Sequence, residues 1–283
     1  MGFVVRPDFL ELPPRSPKPR WRGLTCAVDG GLPLTEVAAL LDAGAPHLDV
    51  WKMGWGTAYL DPRLAEKLEL LDHERIVACP GGTLLELAAR QGRADECLAW
   101  AGQAGFGAVE VSEGLGPLTR PTKGQLIRRA AAEFTVFAEV GAKDPAVRVD
   151  PAAWARAASA DLDAGASWVI AEGRESGTVG VYAADGTVRP AVVDALVKAV
   201  GVDRVIFEAP RKDQQAWFIR NLGPEVNLAN IAPGQALGLE ALRLGLRADT
   251  AAPAGDGLCV SRSAGPLRPR ALTAPEAVGR WRT

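Results

Sequence analysis

Short apolar runs recur along the chain at Leu24–Val28, Leu48–Trp51, Ile76–Cys79, Ala108–Val111, Phe134–Ala138, Trp168–Ala171, Val205–Phe207 and Val226–Leu228. Each has the length of a buried strand rather than a helix, and each ends in a polar, charged or glycine-containing cluster. Helical spacing of apolar residues follows almost every run. Eight strand-then-helix units predict an α/β fold, a (β/α)8 or TIM barrel spanning 22–250. Residues 1–21 carry Pro7, Pro13, Pro14, Pro17 and Pro19 and read as an extended arm. Residues 251–283 turn to Ala, Pro, Gly and Arg with weak periodicity, and are expected to be an accessory, partly disordered tail.

Helix boundaries carry their own signals. Thr83–Glu86 has the spacing of a capping box, Asp61-Pro62 and Asp150-Pro151 each place an N-cap before a helix-opening proline, and Gly165 and Gly223 stand at helix ends. Leu237, Leu239, Leu242, Leu244 and Leu246 predict a last helix packed on the barrel.

In such a barrel the strand C-termini share one face, and the active site lies there. Asp29, Glu110, Glu113, Glu139, Glu172, Glu175 and Glu208 stand at or near those ends. Alternate strand residues face opposite sides, so Glu110 pairs with Ser112 and Glu172 with Arg174. Gly81, Gly82 and Thr83 run into a helix N-terminus, which attracts an anion or serves as a tight turn. Arg211, Lys212, Gln214 and Gln215 follow the seventh strand, where barrels often bind phosphate, and the Asn230 loop follows the eighth. Lys52, Lys143 and Arg174 are the cations expected near the acids. A lysine there can hold an oxyanion or give up a proton.

Composition narrows the chemistry. The 283 residues carry a net charge of −2 with signs interspersed, so neither nucleic acid nor an anionic membrane is expected as a partner. No apolar run is long enough to span a bilayer, and the first residues lack a signal peptide's basic-then-apolar order, so no signal peptide is expected. Cys26, Cys79, Cys97 and Cys259 show no CxxC spacing, and a reducing cytoplasm is the expected compartment. His47 and His73 both lie away from strand C-termini, which disfavours a Ser-His-Asp triad and a histidine zinc site. Any metal would be held by oxygen ligands, which points to Mg2+.

The ordered segments Arg22–Thr25, Lys52-Met53-Gly54-Trp55-Gly56-Thr57, Pro80–Leu84, Val109–Ser112, Glu139-Val140-Gly141, Glu172–Gly177, Ile206–Pro210, Gln214-Gln215, Asn227–Ile231 and Leu242–Thr250 resemble the phosphosulfolactate synthase family. The resemblance implies a (β/α)8 barrel that uses Mg2+ to add sulfite to phosphoenolpyruvate. It implies Lys143 as proton donor, with Glu139, Arg174 and Lys52 beside it. It implies Glu139, Glu172, Glu208 and Asp29 as metal ligands, and small anionic substrates near Gly81, Gly82, Thr83, Arg211, Lys212, Gln215 and Asn230. A homo-oligomer is expected.

The chain also departs from that pattern. The family usually has lysines where this sequence has Gly30 and Ala142, and usually an aspartate where it has Glu113. A lysine about 6 Å from a ligand charge is worth roughly 2–3 kcal/mol at an effective dielectric near 20. Three readings therefore stand: a phosphosulfolactate synthase-like lyase, a family member with an altered nucleophile or substrate, and a non-catalytic stress-associated barrel.

Overall fold

The computed structural model describes residues 9–113, 116, 119–141 and 148–251. Eight strands form, close to the apolar runs: β1 (Thr25–Asp29), β2 (Val50–Met53), β3 (Val77–Cys79), β4 (Ala108–Val111), β5 (Thr135–Val140), β6 (Trp168–Ala171), β7 (Val205–Glu208) and β8 (Asn227–Ile231). Neighbours pair in parallel in the order β3-β2-β1-β8-β7-β6-β5-β4. The sheet thus curls into a nearly closed barrel whose seam lies between β3 and β4. Side chains bridge this seam: Gly82 N–H donates to Glu110 Oε1 at 3.0 Å, and the Ser112 hydroxyl donates to Glu86.

The outer layer comprises α1 (Leu34–Gly44), α2 (Thr57–Leu60), α3 (Leu64–His73), α4 (Gly82–Arg90), α5 (Ala94–Ala104), α6 (Arg120–Ala130), α7 (Pro151–Asp163), α8 (Pro190–Val200), α9 (Lys212–Leu222) and α10 (Ala236–Arg243). Asp150 caps α7 by accepting from Ala152 N–H at 3.0 Å, with Pro151 opening the helix. The Thr83–Glu86 capping box does not form. Helix α4 starts two residues earlier than that box requires, at Gly82, and Glu86 turns instead to Ser112. Asp61 bonds Arg63 N–H at 2.8 Å, so α3 opens at Leu64, two residues beyond Pro62. Helix α10 buries Leu239 and Leu242 but leaves Leu237 half-exposed.

The two-residue period of the strands sorts their side chains. Cys26, Val50, Cys79, Ala108, Phe137, Trp168, Ile170, Ile206 and Ala229 point inward and fill the barrel. Ala27, Trp51, Val109, Ala138, Val169, Phe207 and Leu228 point outward against the helices. Residues 9–21 cross the N-terminal end of the barrel. Arg15 pairs with Glu225 and Glu240, Arg20 pairs with Asp49 at 2.9 Å, and Trp21 stacks on Trp168 at 5.7 Å. That end is thereby sealed, and the opposite, C-terminal end is left open. Among the described residues, no helix is long and apolar enough to cross a membrane. Residues 252–283 lie outside the described residues.

Candidate active site

The open end of the barrel holds a cavity of about 350 Å3, within the range of small-molecule sites. Its wall is built from the inward residues one layer above the apolar core. Glu139 of β5, Glu208 of β7 and Glu172, just past β6, are buried, and one carboxylate oxygen from each lies within 4.8 Å of the others. Lys52 of β2 reaches into the same space, 3.1 Å from Glu110 Oε2 and 3.4 Å from Glu208 Oε1.

Local backbone geometry holds these acids in place. Glu208 Oε2 accepts from Gly173 N–H at 2.9 Å and Arg174 N–H at 2.8 Å, while Glu172 Oε1 accepts from Arg174 N–H at 2.7 Å. Arg174 adopts a left-handed backbone, with φ 56°, which folds its amide back over both acids. Its side chain is exposed at the rim and lines the cavity. On the other wall Glu110 accepts from Gly82 N–H. A side chain at position 82 would collide with Ser112 Oγ and stand 2.9 Å from Glu110 Oε1, so this approach requires glycine.

Acids outnumber cations among the described residues that line the cavity. Glu110, Glu139, Glu172, Glu175 and Glu208 face only Lys52 and Arg174 among the described lining residues. Burial opposes the charge on Lys52, but Glu110, Glu208 and Glu139 outweigh it and hold the ammonium well above the ordinary lysine pKa. Lys52 is thus a fixed cation near neutral pH. Burial pushes the Cys79 thiol up to about 12 and raises Cys26 as well, which removes both as thiolate nucleophiles.

Lys52, Glu139, Glu172, Arg174, Glu208, Gly81, Gly82, Thr83 and Asn230 therefore meet around one mouth. Asp29 does not join them. It lies one residue past the inward Val28, so its side chain turns outward, accepts from Trp51 Nε1 at 3.1 Å and from Gly31 and Leu32 N–H at 2.7 Å, and lies 3.6 Å from Lys67. The expected phosphate cations lie elsewhere too. Arg211 pairs with Asp213 at 3.0 Å and Lys212 with Asp249 at 2.8 Å, and neither lines the cavity. Gln215 is buried, with its amide on Ala209 O at 3.0 Å, and Gln214 tethers Gly177 and Gly186. Both amides hold loops together. Lys143 and Ala142 lie outside the described residues.

Two features at or behind the cavity wall have little signal in the sequence. Trp55 lines the mouth, and buried Lys123 of α6 donates to Glu139 O at 2.6 Å and to Asp161 Oδ2 at 2.7 Å. The repeated glycines around Trp55 were the available signal for the first. The second joins residues remote in sequence and left none.

The sequence model of the (2R)-phospho-3-sulfolactate synthase (ComA) family matches residues 13–249. The chain belongs to the phosphosulfolactate synthase family. A phosphosulfolactate synthase of Bacillus subtilis is 40% identical over 247 residues, covering 86% of this chain and 98% of that protein. One from Methanothermobacter thermautotrophicus is 40% identical over 249 residues, covering 86% and 96%. The fold is also that of the YdjI aldolase from Escherichia coli K12, with a TM-score of 0.51 at 11% identity over 82% of this chain and 87% of that one. The phosphosulfolactate synthase match begins inside the proline-rich arm, at residue 13, which covers the segment sealing the barrel's N-terminal end.

Proposed function

We propose that this family member catalyses the addition of sulfite to phosphoenolpyruvate with Mg2+ bound at the mouth. The observation that carries the reading is the convergence of the Glu139, Glu172 and Glu208 carboxylates beside Lys52. These residues suit a hard divalent cation: the donors are oxygens, and a separation of up to 4.8 Å is close to the roughly 4.2 Å across a magnesium coordination sphere. Mg2+ held there would act as a Lewis acid on the carboxylate where negative charge develops.

The protein groups then have separate tasks. Lys52, fixed as a cation, attracts one anionic group into the cavity. The Arg174 guanidinium offers a second positive site at the rim. Sulfur supplies its lone pair to the methylene carbon of phosphoenolpyruvate, a C–S bond forms, and the π pair moves toward the carboxylate. A proton must then reach the carbon bearing the phosphate. Lys143 is proposed as its donor, on the family resemblance.

Incubating purified protein with Mg2+, phosphoenolpyruvate and sulfite should yield the sulfonate adduct, detected by phosphorus NMR and mass spectrometry. Excess chelator should abolish its formation. Glu172→Gln should raise the half-saturating Mg2+ concentration by at least roughly tenfold. Absence of adduct, or full turnover in chelator, would sink the proposal. Gly30, which brings no cation to the mouth, motivates a parallel arm with a less charged sulfur nucleophile in place of sulfite.

A further inference from the structure

We infer that Trp55 is a substrate-contacting residue, its indole forming an aromatic wall against the flat, unsaturated part of the substrate, and that Gly30 is the seat on which that indole rests. The inference builds on the proposed addition to phosphoenolpyruvate, whose three carbons are planar. Three observations carry it.

Trp55 lines the cavity that holds Lys52 and the carboxylates, yet it is 59% exposed. A tryptophan so placed contributes little to the core, and most of its face is turned to solvent. Its backbone lies in the left-handed region, at φ 53° and ψ 28°, a conformation costly for a bulky residue. Gly54 and Gly56 flank it, and Thr57 Oγ1 closes the turn on Gly54 O at 2.9 Å. Glycine would take the strained position without cost, so the strain accompanies a side chain that the fold does not need. Finally, the indole lies directly against Gly30. A Cβ at that position would penetrate the ring at Cζ3 and stand 3.3 Å from Cε3. Any side chain at residue 30 must push the indole off its seat.

The chemistry suits such a wall. The indole face is apolar and electron-rich, so it disfavours phosphate and carboxylate oxygens but packs well against flat carbon. It would cover the alkene while Lys52 and the acids deal with the charged ends, and it would exclude water from the reacting carbons.

The test compares Trp55→Gly, Trp55→Phe, Gly30→Ala and the double variant Gly30→Ala, Trp55→Gly. Trp55→Gly should raise the KM for phosphoenolpyruvate roughly tenfold, the worth of one good aromatic contact. Its melting temperature should stay level or rise, because glycine relieves the strained φ. Gly30→Ala should raise KM similarly by displacing the indole, and the double variant should be no worse than Trp55→Gly alone. An unchanged KM in Trp55→Gly overturns the inference. So does a Gly30→Ala defect that persists in full in the double variant, or a fall in melting temperature with KM intact. If the parent makes no adduct, the proposed reaction fails and the contact is judged by binding. Phosphoenolpyruvate with Mg2+ should then change tryptophan emission in the parent and not in Trp55→Phe. A response that is equal, or missing, in both proteins overturns it.

Discussion

Single residues at the mouth act through their neighbours' charges, and Lys52 shows how. Glu110, Glu208 and Glu139 raise its pKa well above the ordinary lysine value although burial works the other way. The raised folded-state value means that its charge persists through the neutral range and is lost only in strong alkali. Glu110→Gln removes the largest of the raising partners while keeping an oxygen for Gly82 N–H. The alkaline limb of the kcat/KM profile should therefore move to lower pH in this variant. An alkaline limb that coincides with the parent's would show that Lys52 is not the group titrating. Gly82→Ala acts by crowding. The new methyl would meet Ser112 Oγ and Glu110 on the buried β3–β4 seam, where neither can step aside. A loss of about 1–3 kcal/mol in urea unfolding is expected, and a melting curve matching the parent's would refute the packing argument. Gly30 belongs to this scale as well: where the resemblance implies a lysine, the Trp55 indole fills the space.

At the scale of strands and helices, the period of two decides what reaches the mouth. The apolar runs anticipate all eight strands within a few residues, and Glu110, Glu139 and Glu208 share the inward side with Lys52. Asp29 was readable by the same rule, since it follows inward Val28 and must point outward; position at a strand end alone overrode the period. Arg211 and Lys212 stand off the cavity for another reason. Nearby Asp213 and distant Asp249 take up their charges, and only the latter pairing depends on the fold. Lys123 was hidden because its partners lie 16 and 38 residues away. Its ammonium ties helix α6 to the carbonyl of Glu139 and to Asp161 of α7. Lys123→Met leaves buried Asp161 with, among the described residues, the 3.6 Å contact to Arg120 as its remaining ion pair, and should cost about 3–5 kcal/mol. Adding Asp161→Asn should recover part of that loss by removing the charge. If the single variant unfolds at the parent's urea concentration, the tie between these helices contributes nothing.

For the whole molecule, one end of the barrel is open for chemistry and the other is closed by the arm, which the sequence showed only as proline-rich and extended. Beside the Trp21–Trp168 stack, the closure is made by cations. Arg15, Arg20 and Arg243 reach strand-start carbonyls or acids, and Lys18 donates to Ala45 O at 3.0 Å and Glu74 O at 3.1 Å. Burial lowers the Lys18 pKa to about 8, with Asp49 opposing it and Arg20 adding to it. The sign of the consequence follows from proton counting. Between about 8 and the ordinary lysine value of 10.5, the unfolded chain binds more protons at this site than the folded one does. Stability therefore rises with pH in that window as far as Lys18 is concerned. Comparison with Lys18→Met isolates the effect, because the other titrating groups are common to both proteins and largely cancel. Urea midpoints measured at pH 7.5 and 9.5 should show the difference between parent and variant moving in the parent's favour at the higher pH. A constant difference would mean that Lys18 titrates alike in both states, and that the arm closes the barrel without desolvating its lysine. A shift toward the variant would mean that the ammonium is stabilised in place, reversing the balance between burial and Asp49.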